Sequence, residues 1–143
     1  MADLESKIAL VVDDEPAQIE YVSAILDDHK MKTITAGNGK EAMQKITETK
    51  PDVILLDLMM PEESGMKFFN HLKKNKDYED IPVIVVSGAS QKTGVDMKSM
   101  VYEEEFAKRK KEVLGIDAKP DAYLEKPVDP EKLVETIKGF LSK

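Results

Sequence analysis

The chain has 143 residues, 41% of them hydrophobic and 34% charged, with no cysteine and a formal net charge of −7. Length and composition fit one domain with one core, expected over residues 1–143. The acidic balance argues against a nucleic-acid partner, whose phosphates call for Lys and Arg, and the missing cysteines exclude disulfides, thiolate metal sites and thiol nucleophiles.

The N-terminus, Met1-Ala2-Asp3-Leu4-Glu5, is acidic and leads into only a short apolar run, so it does not read as a signal peptide. No stretch approaches the roughly 20 apolar residues needed to span a bilayer. A cytoplasmic location without membrane contact is the expectation. Ile8 to Val12 is continuous and β-branched, as a strand buried on both faces would be. Pro16 can open a first helix, which carries Ile19, Val22 and Leu26 at helical spacing. Lys32 to Ala36 alternates polar and apolar and suits an edge strand. Asn38-Gly39 supplies a turn before a second helix with Met43 and Ile46.

Val53 to Leu56 is a third strand, and a third helix, which Ser64 can cap, carries Met66, Phe69 and Leu72. Val83 to Val86 is a fourth strand, and Ala122-Tyr123-Leu124 a short fifth. Pro130 opens a last helix with Leu133, Ile137, Phe140 and Leu141 on one face. Alternating strands and helices imply βαβ units, hence an α/β domain with a doubly wound, five-stranded parallel sheet. Ligands of such sheets bind outside the carboxyl ends of the strands, so the residues just after each strand carry the functional information.

Those residues are Asp13, Asp14 and Glu15 after the first strand, Asp57 after the third, Ser87 after the fourth, and Glu125 and Lys126 after the fifth. Converging carboxylates repel one another unless a cation neutralises them. An all-oxygen set without Cys or His points to a hard ion, and Mg²⁺ suits a few carboxylates, waters and a phosphate oxygen. Lys126 and Ser87 would complete a cradle for a phosphoryl group, and a carboxylate can act as nucleophile there by forming an aspartyl phosphate. Taken singly, each acid would more often be a cap or turn residue, and Lys126 a solvated lysine; the joint pattern favours chemistry. His29 and His71 fall in helices without metal-ligand company and read as surface residues.

Val11-Val12-Asp13-Asp14-Glu15-Pro16, Ile54-Leu55-Leu56-Asp57-Leu58-Met59-Met60-Pro61 with Gly65, Val85-Val86-Ser87-Gly88-Ala89 and Tyr123-Leu124-Glu125-Lys126-Pro127 together resemble the receiver domain of bacterial two-component response regulators. The resemblance covers nearly the whole chain. It implies a flavodoxin-like sheet of strand order 2-1-3-4-5. It further implies that Asp57 accepts a phosphoryl group from a phosphohistidine of a sensor histidine kinase or phosphotransfer protein. Asp14, Asp57 and the Met59 carbonyl would hold Mg²⁺, with Asp13 contributing through water. Ser87 and Lys126 would bind phosphoryl oxygens, and Tyr123 would be an aromatic switch that turns inward as Ser87 moves. A cis Lys126-Pro127 bond is part of the same expectation. Pro61 and Gly65 are read as shaping the turn beside Asp57.

Met59 and Ala89, two residues after Asp57 and Ser87, are apolar, and a polar group able to orient an attacking water is lacking at both; a slowly hydrolysing phosphoryl-aspartate is expected. Residues 90–121 are longer than the helix a receiver usually carries there, so an insertion or extended helix and loop is expected. Glu103-Glu104-Glu105 before Lys108-Arg109-Lys110-Lys111 permits i, i+4 pairs on an exposed helix. The plain reading is a lengthened surface helix; the sharper one is a docking surface or homodimer contact. With the chain ending just after the last helix, a stand-alone receiver acting on an unidentified output protein is expected, a signalling switch and not an enzyme. Three alternatives stay open: a Mg-dependent phosphatase of the haloacid dehalogenase type, a flavodoxin-like electron carrier, and an adaptor that keeps the fold without phosphorylation. The first wants its nucleophile and a second Asp two residues apart after the first strand, where Asp13 and Asp14 are adjacent. The second wants a Gly- and hydroxyl-rich phosphate loop where Asp13 to Ala17 stands.

Overall fold

The computed structural model describes residues 4–58, 60–87 and 120–141, with the backbone alone at Glu63 and Ser87. The strands are β1 (Ile8–Val12), β2 (Lys32–Ala36), β3 (Val53–Leu56), β4 (Val83–Ser87) and β5 (Ala122–Glu125). The helices among the described residues are α1 (Pro16–Asp28), α2 (Gly39–Glu48), α3 (Ser64–Lys74) and α4 (Pro130–Leu141), with a 3-10 turn at Pro61–Glu63. The strands form one sheet in the order β2-β1-β3-β4-β5, and every neighbouring pair is parallel. This is the doubly wound arrangement that the strand and helix alternation requires. The lengthened segment expected at 90–121 lies outside the described residues apart from Pro120 and Asp121.

The sheet divides the core by side-chain parity. Leu10, Val12, Ile54, Leu56, Val83 and Val85 face α2 and α3, where they meet Ala42, Ile46, Phe68, Phe69 and Leu72. Ala9, Val11, Val53, Leu55, Ile84 and Val86 face α1 and α4, where they meet Val22, Leu26, Leu133 and Ile137. Because both faces are covered, the central strands carry apolar residues at consecutive positions. β2, at one edge, is half-exposed along most of its length, as its alternating pattern demands.

Local chemistry starts and stops the helices. Pro16 and Pro130 occupy first turns, where the missing N–H is no loss. The Asn38 side chain accepts a hydrogen bond from the Glu41 N–H at 2.8 Å, while the Glu41 carboxylate accepts one from the Gly37 N–H at 2.6 Å, so each satisfies a donor near the start of α2. Ser64, expected to cap α3, instead has helical dihedrals of φ −64° and ψ −31°. The 3-10 turn at Pro61–Glu63 leads directly into α3 and takes the cap's place. Within that turn Glu62 adopts φ 60°, a left-handed conformation that non-glycine residues rarely enter. β4 and β5 each run one residue further than their apolar runs, to Ser87 and Glu125, because the backbone ladder continues past the last buried side chain.

Candidate phosphoacceptor site

Asp13 and Asp57 sit one residue past the ends of two adjacent central strands, and the sheet still holds their backbones. The Asp13 N–H donates to the Ala36 carbonyl at 3.1 Å and the Asp57 N–H to the Val12 carbonyl at 3.0 Å. Both residues are buried, Asp13 at 3% and Asp57 at 2% exposure, and they are the buried charged residues of the described core. Asp14 and Glu15 are exposed beside them. Carboxylate oxygens of Asp13, Asp14, Glu15 and Asp57 lie within 4.8 Å of one another.

One cation joins this group from the far end of the sheet. The Lys126 ammonium stands 2.9 Å from Asp13 Oδ2, 2.9 Å from Glu15 Oε1 and 3.2 Å from Asp57 Oδ2. The Asp13 Oδ1 accepts the Glu15 N–H at 2.9 Å, which fixes the carboxylate plane. Burial pushes the Asp13 carboxyl above its ordinary range and the Asp57 charge adds to the rise; the Lys126 ammonium and the Glu15 N–H oppose it. For Lys126, burial alone would favour the neutral amine, but the carboxylates of Asp13, Glu15 and Asp57 outweigh it and hold the proton more firmly than usual. The Lys126-Pro127 bond is cis, as expected.

The geometry therefore brings together Asp13, Asp14, Asp57 and Lys126. Ser87 ends β4 with its backbone opposite Glu125, and its side chain lies outside the described residues, as do Met59 and Ala89. Tyr123 lies on β5 opposite Val85, 8% exposed, within the cluster that includes Met60, Met66 and Phe69. Gly65, read as a turn residue, is held more tightly than a turn requires, because a Cβ there would collide with the Asp57 carbonyl and lie 3.0 Å from the Leu58 Cα. His29 and His71 are exposed and neither belongs to the acidic cluster. One participant, Glu15, has no role that the sequence assigns. Its pairing with Lys126 spans 111 positions and leaves no local signal beyond its place on the strand-end rim.

A family model for the response regulator receiver domain matches residues 9–108. The chain belongs to that family. It is 32% identical over 133 residues to Protein PilH of Pseudomonas aeruginosa, covering 93% of this chain and 96% of PilH. It is also 32% identical over 132 residues to the phosphate regulon transcriptional regulatory protein PhoB of Escherichia coli, covering 92% of this chain but 50% of PhoB. Among solved structures, the chemotaxis response regulator CheY4 of Vibrio cholerae matches with a TM-score of 0.71 and 26% identity, covering 95% of this chain and 99% of that one. The chain is thus a receiver domain of the two-component response regulators, a signalling switch. The phosphatase and electron-carrier readings are not favoured. Receiver domains bind Mg²⁺ at an acidic pocket, and the cluster around Asp57 has the matching composition. No helix among the described residues is long and apolar enough to cross a membrane.

Proposed function

We propose that Asp57 is the phosphoryl acceptor of this receiver, with a sensor kinase or phosphotransfer protein in the cytoplasm as the donor. The supporting observation is the simultaneous approach of the Lys126 ammonium to Asp57 at 3.2 Å and to Asp13 at 2.9 Å, at the mouth of a parallel sheet. An Asp57 carboxylate oxygen attacks phosphorus as the P–N bond of the donor phosphohistidine breaks, and the electron pair of that bond remains on the imidazole nitrogen. Asp14, Asp57 and the Met59 carbonyl would hold Mg²⁺, with Asp13 contributing through water, and the ion would supply positive charge to offset the carboxylates and attract phosphoryl oxygens. Lys126, 3.2 Å from Asp57 Oδ2, offsets the charge that develops on the transferred group. Ser87 binds a phosphoryl oxygen from the end of β4, and Tyr123, on the neighbouring strand, responds by shifting between two packings.

Incubation with acetyl phosphate and Mg²⁺ is expected to add one phosphoryl group, read by intact-protein mass spectrometry, and Asp57→Ala should abolish the adduct. Equal labelling of wild type and variant would refute the assignment, and a wild-type chain that takes no label would favour the adaptor reading. The apolar neighbours Met59 and Ala89 lead to a second expectation. After removal of acetyl phosphate, the adduct should persist for minutes or longer without a phosphatase, and decay within seconds would contradict it.

A further inference from the structure

The chain carries a net charge of −7, yet α3, with the sequence SGMKFFNHLKK, contains Lys67, His71, Lys73 and Lys74 and no carboxylate. Lys73 turns toward Asp121, 3.4 Å away. Lys67, His71 and Lys74 are exposed at i, i+4 and i+7, so they form one stripe along the helix. The stripe borders a hollow of about 390 Å³ between α2 and α3, lined by Met43 and Phe68 as its apolar part, by Lys40 and Lys67 as cations, and by the His71 imidazole and the Glu62 carboxylate. The Ser64 hydroxyl, buried and unengaged by any described protein group, lines the same hollow. A second hollow, also about 390 Å³, shares Lys40, Glu62 and Ser64 with the first and extends it to Asp14. The hollow between α1 and α4 has the opposite character: Asp28, Glu131 and Glu135 line it. The α3 wall of the groove therefore presents lysines and no carboxylate, while Glu62 and Asp14 line the groove from the neighbouring loops.

We propose that the α2–α3 groove is a docking site for an acidic amphipathic helix of a partner protein. Carboxylates at i, i+4 and i+7 of such a helix match the spacing of Lys67, His71 and Lys74, and an apolar side chain between them enters the hollow against Met43 and Phe68. Nucleic acid fits less well, because the whole-molecule charge of −7 repels a polyanion longer than the groove.

The test uses a synthetic helical peptide with Glu at those three positions and Leu and Phe on the same face, followed by fluorescence anisotropy and amide shift mapping. The wild-type chain is expected to bind it with a Kd below about 100 µM at low salt, with perturbed amides confined to α2, α3 and the Pro61–Glu63 turn. The double variant Lys40→Glu/Lys67→Glu should bind at least about tenfold more weakly, and Lys40→Gln/Lys67→Gln serves if the first variant loses its circular dichroism spectrum. The proposal is overturned if the peptide does not bind at ~1 mM, about the weak limit of such contacts. It is equally overturned if the variants bind as wild type does, if the perturbed amides lie elsewhere, or if a duplex oligonucleotide binds more tightly than the peptide.

Discussion

Lys126→Met is expected to slow phosphorylation by acetyl phosphate about a hundredfold or more, the size of effect seen when one preorganised donor to a developing negative charge is lost. The same substitution should also destabilise the fold. Lys126 is the cation lying between Asp13 and Asp57, whose side chains are 4% and 2% exposed. Without it two buried carboxylates face each other uncompensated, and breaking a buried ion pair costs about 3 kcal/mol at the low end of its range, appropriate for a lysine that keeps some contact with water. Methionine fills the space of the aliphatic stem, so lost packing contributes little. Mg²⁺ should then raise the melting temperature of the variant more than that of the wild type, because the ion takes over neutralisation of the acid pair. Equal shifts in the two proteins, measured by differential scanning calorimetry, would mean that Lys126 does not neutralise the acids.

Gly65→Ala should be nearly as damaging although it alters no charge. The added Cβ meets the carbonyl oxygen of Asp57 and approaches the Leu58 backbone to 3.0 Å, and neither can rotate aside as a side chain would. Either α3 moves off the sheet or the loop carrying Asp57 shifts. Overpacking of this kind costs on the order of 3 kcal/mol where backbone must move. The expected outcome is a lowered denaturation midpoint together with slower phosphorylation. Gly139→Ala is the matched control: it lies near the end of α4, where an added Cβ would meet nothing within 4 Å. Alanine there should stabilise by about 0.5 to 1 kcal/mol through helix propensity. If both variants unfolded at the wild-type midpoint, the close approach of α3 to Asp57 would be refuted.

Much of this architecture was legible in the residues because burial and periodicity coincide. The runs Ile8–Val12 and Val53–Leu56 are apolar at every position since helices cover both faces, and β2 alternates since it lies at an edge. The rim positions of Asp13, Asp57 and Lys126 followed from strand ends alone. Other features depend on contacts that a linear pattern does not encode. Adjacent Asp13 and Asp14 look equivalent in sequence, yet one turns inward to 3% exposure while the other faces solvent. The Glu15–Lys126 pair joins residues whose proximity exists only after the sheet is complete. Ser64 has the residue type of a cap but lies inside the helix, because Pro61 and the left-handed Glu62 turn the chain earlier than a serine signal suggests.

The backbone bonds from Asp13 to Ala36 and from Asp57 to Val12 have a kinetic consequence. Each acid is anchored through its own amide to the neighbouring strand, so neither can swing free by local fraying of a loop. Deuterium should replace hydrogen at these two amides about as slowly as at mid-strand positions, through opening of the whole sheet. The Asp57 carboxylate is in this sense anchored as durably as the centre of the molecule.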